Sequence, residues 1–255
     1  MNTRIGPIIK SIAKIFPSSH YAILSLFLFI GLELLFVIHN WLFILFAIFI
    51  SILFIGILLI RSEEGRGFHP TQMILPILAA VGFVSLAVYL PITFYLHIYF
   101  AACASLFFFI LKYGARQAWP TWNIVISLAV TFAIIAPTIG WRFTFYTPVW
   151  IMLAVLFPAI ALLAFQSLLR YTNTMDDAIM VSLCIGFVLT EVAWILQFLP
   201  LHFIVQAGIL LALYYMAIQI TISTVERTLS RKTIIEYCII GAIAVLLLAL
   251  TANWA

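Results

Sequence analysis

Charged residues are scarce in this sequence. Asp, Glu, Lys and Arg together make up 8% of the chain, where about 25% is usual in a soluble domain. Hydrophobic residues make up 66%. So little polar surface cannot cover so much apolar side chain in water, so the composition excludes a soluble globular fold and points to lipid as the solvent. The basic residues stand singly between apolar runs, so none of them forms a stripe able to track a phosphate backbone. That excludes nucleic acid as a partner. Cysteine is sparse too. Cys103, Cys184 and Cys238 lie in apolar runs with no paired spacing, which excludes a disulfide framework and a C-x-x-C site and leaves packing roles. Long polar loops are missing, so there is no room for a catalytic domain outside the membrane. No A-x-A cleavage site follows the apolar run after His20, so the start does not read as a signal peptide.

What is present is a series of long apolar runs. Tyr21–Ile60 is broken only by Glu33 and by His39-Asn40-Trp41. As one helix it would be about 60 Å long, twice the hydrocarbon thickness of a bilayer, so it divides into two spans. The same arithmetic divides Thr71–Leu111 near Pro91 and Ala178–Ser223 at Phe198–His202. Asn123–Leu169 divides at Gly140–Pro148, and a last span covers Ile234 to about Ala252. The expected architecture is an all-α bundle of nine spans, four hairpins and a final helix, over residues 20–255. Residues 1–19 precede it. There Ile5, Ile8, Ile9, Ile12 and Ile15 recur at helical spacing opposite Lys10 and Lys14, which reads as an interfacial amphipathic helix or else a basic tail.

Charge orients the spans. With the N-terminus cytoplasmic, every basic residue except Arg142 falls on the cytoplasmic side and the C-terminus lies outside, as the positive-inside rule requires for short loops. Trp41, Trp141, Trp150 and Trp254 then fall near the outer interface, and Trp119 and Trp122 near the inner one.

Several local patterns have structural readings. Asn173 or Thr174 caps a helix whose first turn carries Asp176 and Asp177. The small residues Ala101 and Ser105, and Ser182 and Gly186, allow close helix approach. Pro76, Pro137 and Pro158 are placed within spans, where they would kink the helix or free a carbonyl. RSEEGRGFHP lacks the lysine-serine pair of a P-loop and reads as a solvated turn or a cytoplasmic docking site for a protein partner.

Glu33 and Glu191 are different, being acidic residues placed away from span ends. In spans of 21–39 and 178–198 both fall roughly 5 Å to the outer side of the middle. A carboxylate at the centre of a span costs about 2.5–3.5 kcal/mol on insertion scales, which makes such a residue a functional candidate. His97, Arg142 and Gln206 collect in the same half, with Gln206 within reach of Glu191, and His39 and His202 stand at the outer tips. No histidine pair has a metal-ligand spacing, and no cofactor motif occurs.

The expected function is binding or transport of a small or lipid-linked ligand in an outward-facing polar pocket. Glu33 and Glu191 would be the proton- or cation-sensitive groups, Arg142 and the outer histidines would attract an anionic ligand, and Gln206 would orient Glu191. One rival is a non-catalytic subunit or assembly factor whose polar groups join helices. Another is an enzyme on a lipid-linked substrate with Glu191 and His97 as acid and base. The stretches ELLFVIHNW, HPTQMILPILAAVGF, TEVAWILQFLP, ALYY and RKTIIEYC resemble a family of bacterial polytopic inner-membrane proteins with no assigned activity. The resemblance implies a multi-pass inner-membrane location and membrane lipids as surroundings. Retinal proteins are excluded because no lysine lies deep in the last span. Polytopic sugar transferases are excluded because the first outer turn is short, and rhomboid-type proteases because no G-x-S-x-G site occurs.

Overall fold

The structure, a computed structural model, describes residues 19–38, 74–90, 94–114, 120–169, 171–172 and 174–252. These form eight α-helices: α1 (Ser19–Ile38), α2 (Ile74–Ala87), α3 (Phe94–Gly114), α4 (Pro120–Phe145), α5 (Val149–Leu168), α6 (Met175–Leu196), α7 (Phe203–Val225) and α8 (Arg231–Thr251). Among the described residues there is no strand. Six of the helices, α3 to α8, are long and apolar enough to cross a membrane, and α1 and α2 contain shorter apolar helices. The described helices fall on the first and the third to ninth expected runs. The amphipathic segment, the second run and His39 lie outside the described residues.

Local chemistry sets the helix boundaries. Thr174 caps α6 by accepting from the Asp177 N–H at 3.3 Å, and Asp176 and Asp177 occupy the first turn, where the dipole favours anions. The helix stops before Pro200, which disfavours helical backbone in the residue ahead of it. His202 opens α7, its ring Nδ1 accepting from the Ile204 N–H at 3.4 Å. Ser230 opens α8 by accepting from Thr233 at 3.1 Å.

One expectation needs correction here. The break between α4 and α5 is not spread over Gly140–Pro148. The helix continues to Phe145 and the chain turns only at Tyr146–Pro148, with Tyr146 in the left-handed region at φ 51°. Gly140 is a packing position, since a Cβ there would lie 2.9 Å from the Tyr89 ring and 3.3 Å from Phe203. Pro76 lies within α2, as expected. Pro137 and Pro158 lie inside α4 and α5.

The helices group into two compact units, one within residues 1–80 and 90–120, the other within 81–89 and 121–255. In the first, α1 packs along α3. Leu24, Leu28 and Leu32 repeat every fourth residue and are buried, as are Leu96, Phe100, Cys103 and Phe107 of α3.

In the second unit, small residues set how closely the helices approach, as expected where lipid gives no hydrophobic drive between them. Gly186 of α6 faces Ala161 of α5, with room for a Cβ only 3.0 Å from the Ala161 Cβ and 3.3 Å from its backbone. Gly82 of α2 lies against α4, and a Cβ there would meet the Ala133 carbonyl oxygen at 3.1 Å. That is the carbonyl which Pro137 deprives of its helical donor. Gly208 faces Leu248, and Gly241 faces Met216, joining α7 to α8. The other expected small pair, Ala101 and Ser105, is exposed on α3. Cys103 is buried as a packing residue should be, whereas Cys184 and Cys238 are exposed.

Candidate functional site

Glu33 sits five residues before the end of α1, and Glu191 five before the end of α6. The surroundings of the two carboxylates differ completely.

Glu33 follows the buried Leu32 and turns towards α3. Both its carboxylate oxygens approach His97 Nδ1, at 2.9 and 3.1 Å. His97 lies in the first turn of α3 and Glu33 near the end of α1, so the pair joins opposite ends of two antiparallel helices. The Glu33 side chain is 29% exposed and that of His97 47%. The pair is thus shielded on one side and reachable on the other. Phe100, fully buried, meets the imidazole edge-on at 6.3 Å.

Glu191 is exposed and makes no hydrogen bond or ion pair among the described residues. Ile185, Gly186, Leu189, Ala193 and Leu196 form the buried stripe of α6. At 3.6 residues per turn, Glu191 points away from them and shares its face with Phe187, Val188 and Ile195, all more than half exposed.

Gln206 is fully buried, but its partner is not Glu191. Its Nε2 donates to the Leu201 carbonyl at 2.9 Å and its Oε1 accepts from Gln197 Nε2 at 2.8 Å. Gln197 Oε1 in turn accepts from Arg142 Nη1 at 2.7 Å. Arg142, Gln197, Gln206 and the Leu201 carbonyl thus form one directed chain across the ends of α4, α6 and α7. The sequence reasoning missed Gln197, whose only signal is its place at the α6 C-cap, nine residues before Gln206.

Nearby on the chain, the Tyr89 hydroxyl donates to the Pro137 carbonyl at 3.3 Å, and the Tyr89 ring packs on Phe203 at 5.2 Å. Burial pushes the Tyr89 phenol up to about 12, against a smaller opposing effect of the Thr144 hydroxyl. His202 is occupied in capping α7 and stacks on Phe203 at 4.4 Å.

A second polar group missed by the sequence reasoning lies inside the unit. Ser167 of α5 meets Ser127 of α4 at 3.0 Å and Tyr214 of α7 at 3.3 Å, and Tyr214 is 1% exposed. This cluster joins three helices with neutral hydroxyls, each hydrogen bond worth about 0.6 kcal/mol in a bilayer.

Long apolar helices, carrying charged and amide side chains near their ends, define a helical membrane protein. The chain belongs to the family described as protein of unknown function (DUF5656), whose model matches residues 27–251. No curated protein and no solved structure matches it.

Proposed function

We propose that the protein is a nine-span, proton-sensitive ligand-binding or transport protein of the bacterial inner membrane, with its N-terminus cytoplasmic and its C-terminus outside. The observation that carries this reading is the Glu33–His97 pair. Both carboxylate oxygens lie within hydrogen-bond distance of the imidazole Nδ1, a contact suited to taking up or passing on a proton. The pair bridges α1 and α3, which pack on each other, so a change in its charge bears on that packing directly. The positive-inside distribution of Lys and Arg supports the topology, and the family resemblance supports the location. Glu33, Glu191, His97, Arg142 and Gln206 remain the candidate ligand- and proton-binding residues.

Thermal unfolding of the detergent-solubilised protein across about pH 5 to 8 tests the reading. Glu33→Gln and His97→Asn keep shape and hydrogen bonding but disable the pair. The parent is expected to show pH dependence that both variants lose, with stability equal to or above the parent's at some pH in that range. Variants that are less stable throughout, with the pH dependence unchanged, would make the pair a structural contact and defeat the reading.

A second reading, a subunit of a larger membrane assembly, is favoured by one observation. Glu191 lies on the exposed face of α6 without a partner among the described residues. Glu191→Leu would then leave the isolated protein folded and abolish assembly.

A further inference from the structure

The hydrogen-bond chain at the end of α6 has a direction, and the direction ends in a cation. The Leu201 carbonyl can only accept, so it turns the Gln206 amide to place Nε2 on itself and Oε1 on Gln197. Gln197 must then donate through Nε2 and present Oε1 outward, where Arg142 meets it. One backbone carbonyl thereby orients two amides and holds a guanidinium. Removing Gln206 from solvent altogether is a costly way to make a single contact, and it makes the orientation rigid.

We infer that this relay presents Arg142 as an anchor for a phosphate group carried by an amphiphile, with Gln197 and Gln206 as positioning residues. The inference rests on the ligand-binding reading above and names the chemistry of the ligand. A guanidinium has five N–H donors in a planar fork that fits two phosphate oxygens at once. One donor of Arg142 goes to Gln197, and among the described residues no carboxylate pairs with it. The α4 dipole stabilises a cation in this last turn but supplies no counter-ion. No acidic residue occurs between Phe143 and Trp150 or between Phe198 and Gln206, the two stretches that flank the relay in the chain. Phe143, Tyr146 and Trp150, which follow Arg142 closely in the chain, are exposed aromatic residues, Tyr146 at 90%. Aromatic residues of this kind settle at headgroup level, which favours a lipid-borne phosphate over a free one.

The test uses the full chain. In nanodiscs, phosphatidylglycerol added to phosphatidylcholine is expected to raise the unfolding midpoint by about 3–6 °C, the shift for a ligand at some tenfold its Kd. Gln197→Glu is the decisive variant. It keeps the acceptor for Arg142 and adds an ion pair but loses the donor to Gln206, so the shift is read against the variant's own midpoint without anionic lipid; with the guanidinium neutralised, that shift disappears. Arg142→Lys, a point charge without the fork, loses most of the shift. Arg231→Gln, at the start of α8, keeps it, which separates a site from general surface charge. Inorganic phosphate added in detergent separates the sources. A shift with the lipid alone assigns a headgroup, and one with phosphate alone assigns a soluble phosphoryl compound. No shift with either, or a full shift retained in Gln197→Glu, overturns the anchor. That failure would leave the Glu33–His97 test untouched, because it reads a different pair by a different variable.

Discussion

Replacing Gln206 by leucine probes the relay most directly. The side chain is 0% exposed, and the change removes two hydrogen bonds without altering volume much. It orphans the Leu201 carbonyl and the Gln197 amide. Buried unsatisfied groups in soluble proteins cost about 1–3 kcal/mol each, which gives roughly 2–6 kcal/mol for two. Hydrogen bonds between membrane helices are worth less, averaging about 0.6 and reaching about 1.7 kcal/mol, which gives roughly 1–3 kcal/mol. The second range governs here, because the Arg142 end is part-exposed and the freed Gln197 amide can turn towards water. Equilibrium unfolding by SDS titration in mixed micelles, followed by far-UV circular dichroism, measures the loss. The cycle with Gln197→Leu sharpens it. Each single variant breaks the Gln197–Gln206 bond, so the double variant is expected to cost less than the two singles added, by about 0.6–1.5 kcal/mol. Additivity within about 0.3–0.5 kcal/mol would mean that the two amides are not coupled, and the relay would have to be abandoned.

Gly186→Ala should destabilise the protein by about 1–3 kcal/mol, since the new methyl would sit 3.0 Å from the Ala161 Cβ and 3.3 Å from its backbone. Ala161→Gly in the same chain should recover part of that loss in the same titration, the backbone contact remaining. Thr174→Ala should cost about 1 kcal/mol through loss of the α6 cap, and Thr174→Ser very little; equal losses for both would deny the cap. For Tyr89, the unfolded phenol titrates near 10 and the folded one near 12, so its contribution is intact below about pH 10 and is lost as pH rises through 12. Tyr89→Phe should therefore unfold less steeply than the parent in alkaline titration, and identical profiles would refute the assignment.

Helix positions were legible in the sequence because they depend on run length and on residues such as Pro200 and Thr174 that act locally. Gly140 misled for a physical reason. A glycine that makes room for Tyr89 and Phe203 looks, in one dimension, like a glycine that ends a helix. The candidate residues were legible as polar groups in apolar runs, but their partners were not. Glu33 and His97 are separated by 64 positions, and nothing local ties one to the other. Gln206 was assigned to Glu191 on depth alone. Helical phase would have argued otherwise, because the small residues Ser182, Gly186 and Ala193 mark the packed side of α6 and Glu191 lies across from them. Gln197 carries no signal in the sequence beyond its place just before the break at Phe198–His202, and only the direction of the amide chain gives it a role.

The attachment of α8 has a consequence for how the molecule comes apart. Among the described residues its main packing is against α7, through Gly208 against Leu248 and Gly241 against Met216, and Gly241 is its one buried residue within the helix. A helix held along a single seam can separate without disturbing the contacts of α5 with α6, so the opening free energy of its amides need not equal that of the whole unit. Hydrogen exchange should therefore divide the second unit into two classes, the α8 amides exchanging by a cheaper local opening and the α5–α6 seam exchanging only on global unfolding. The final helix would then be the last element to dock during folding and the first to leave.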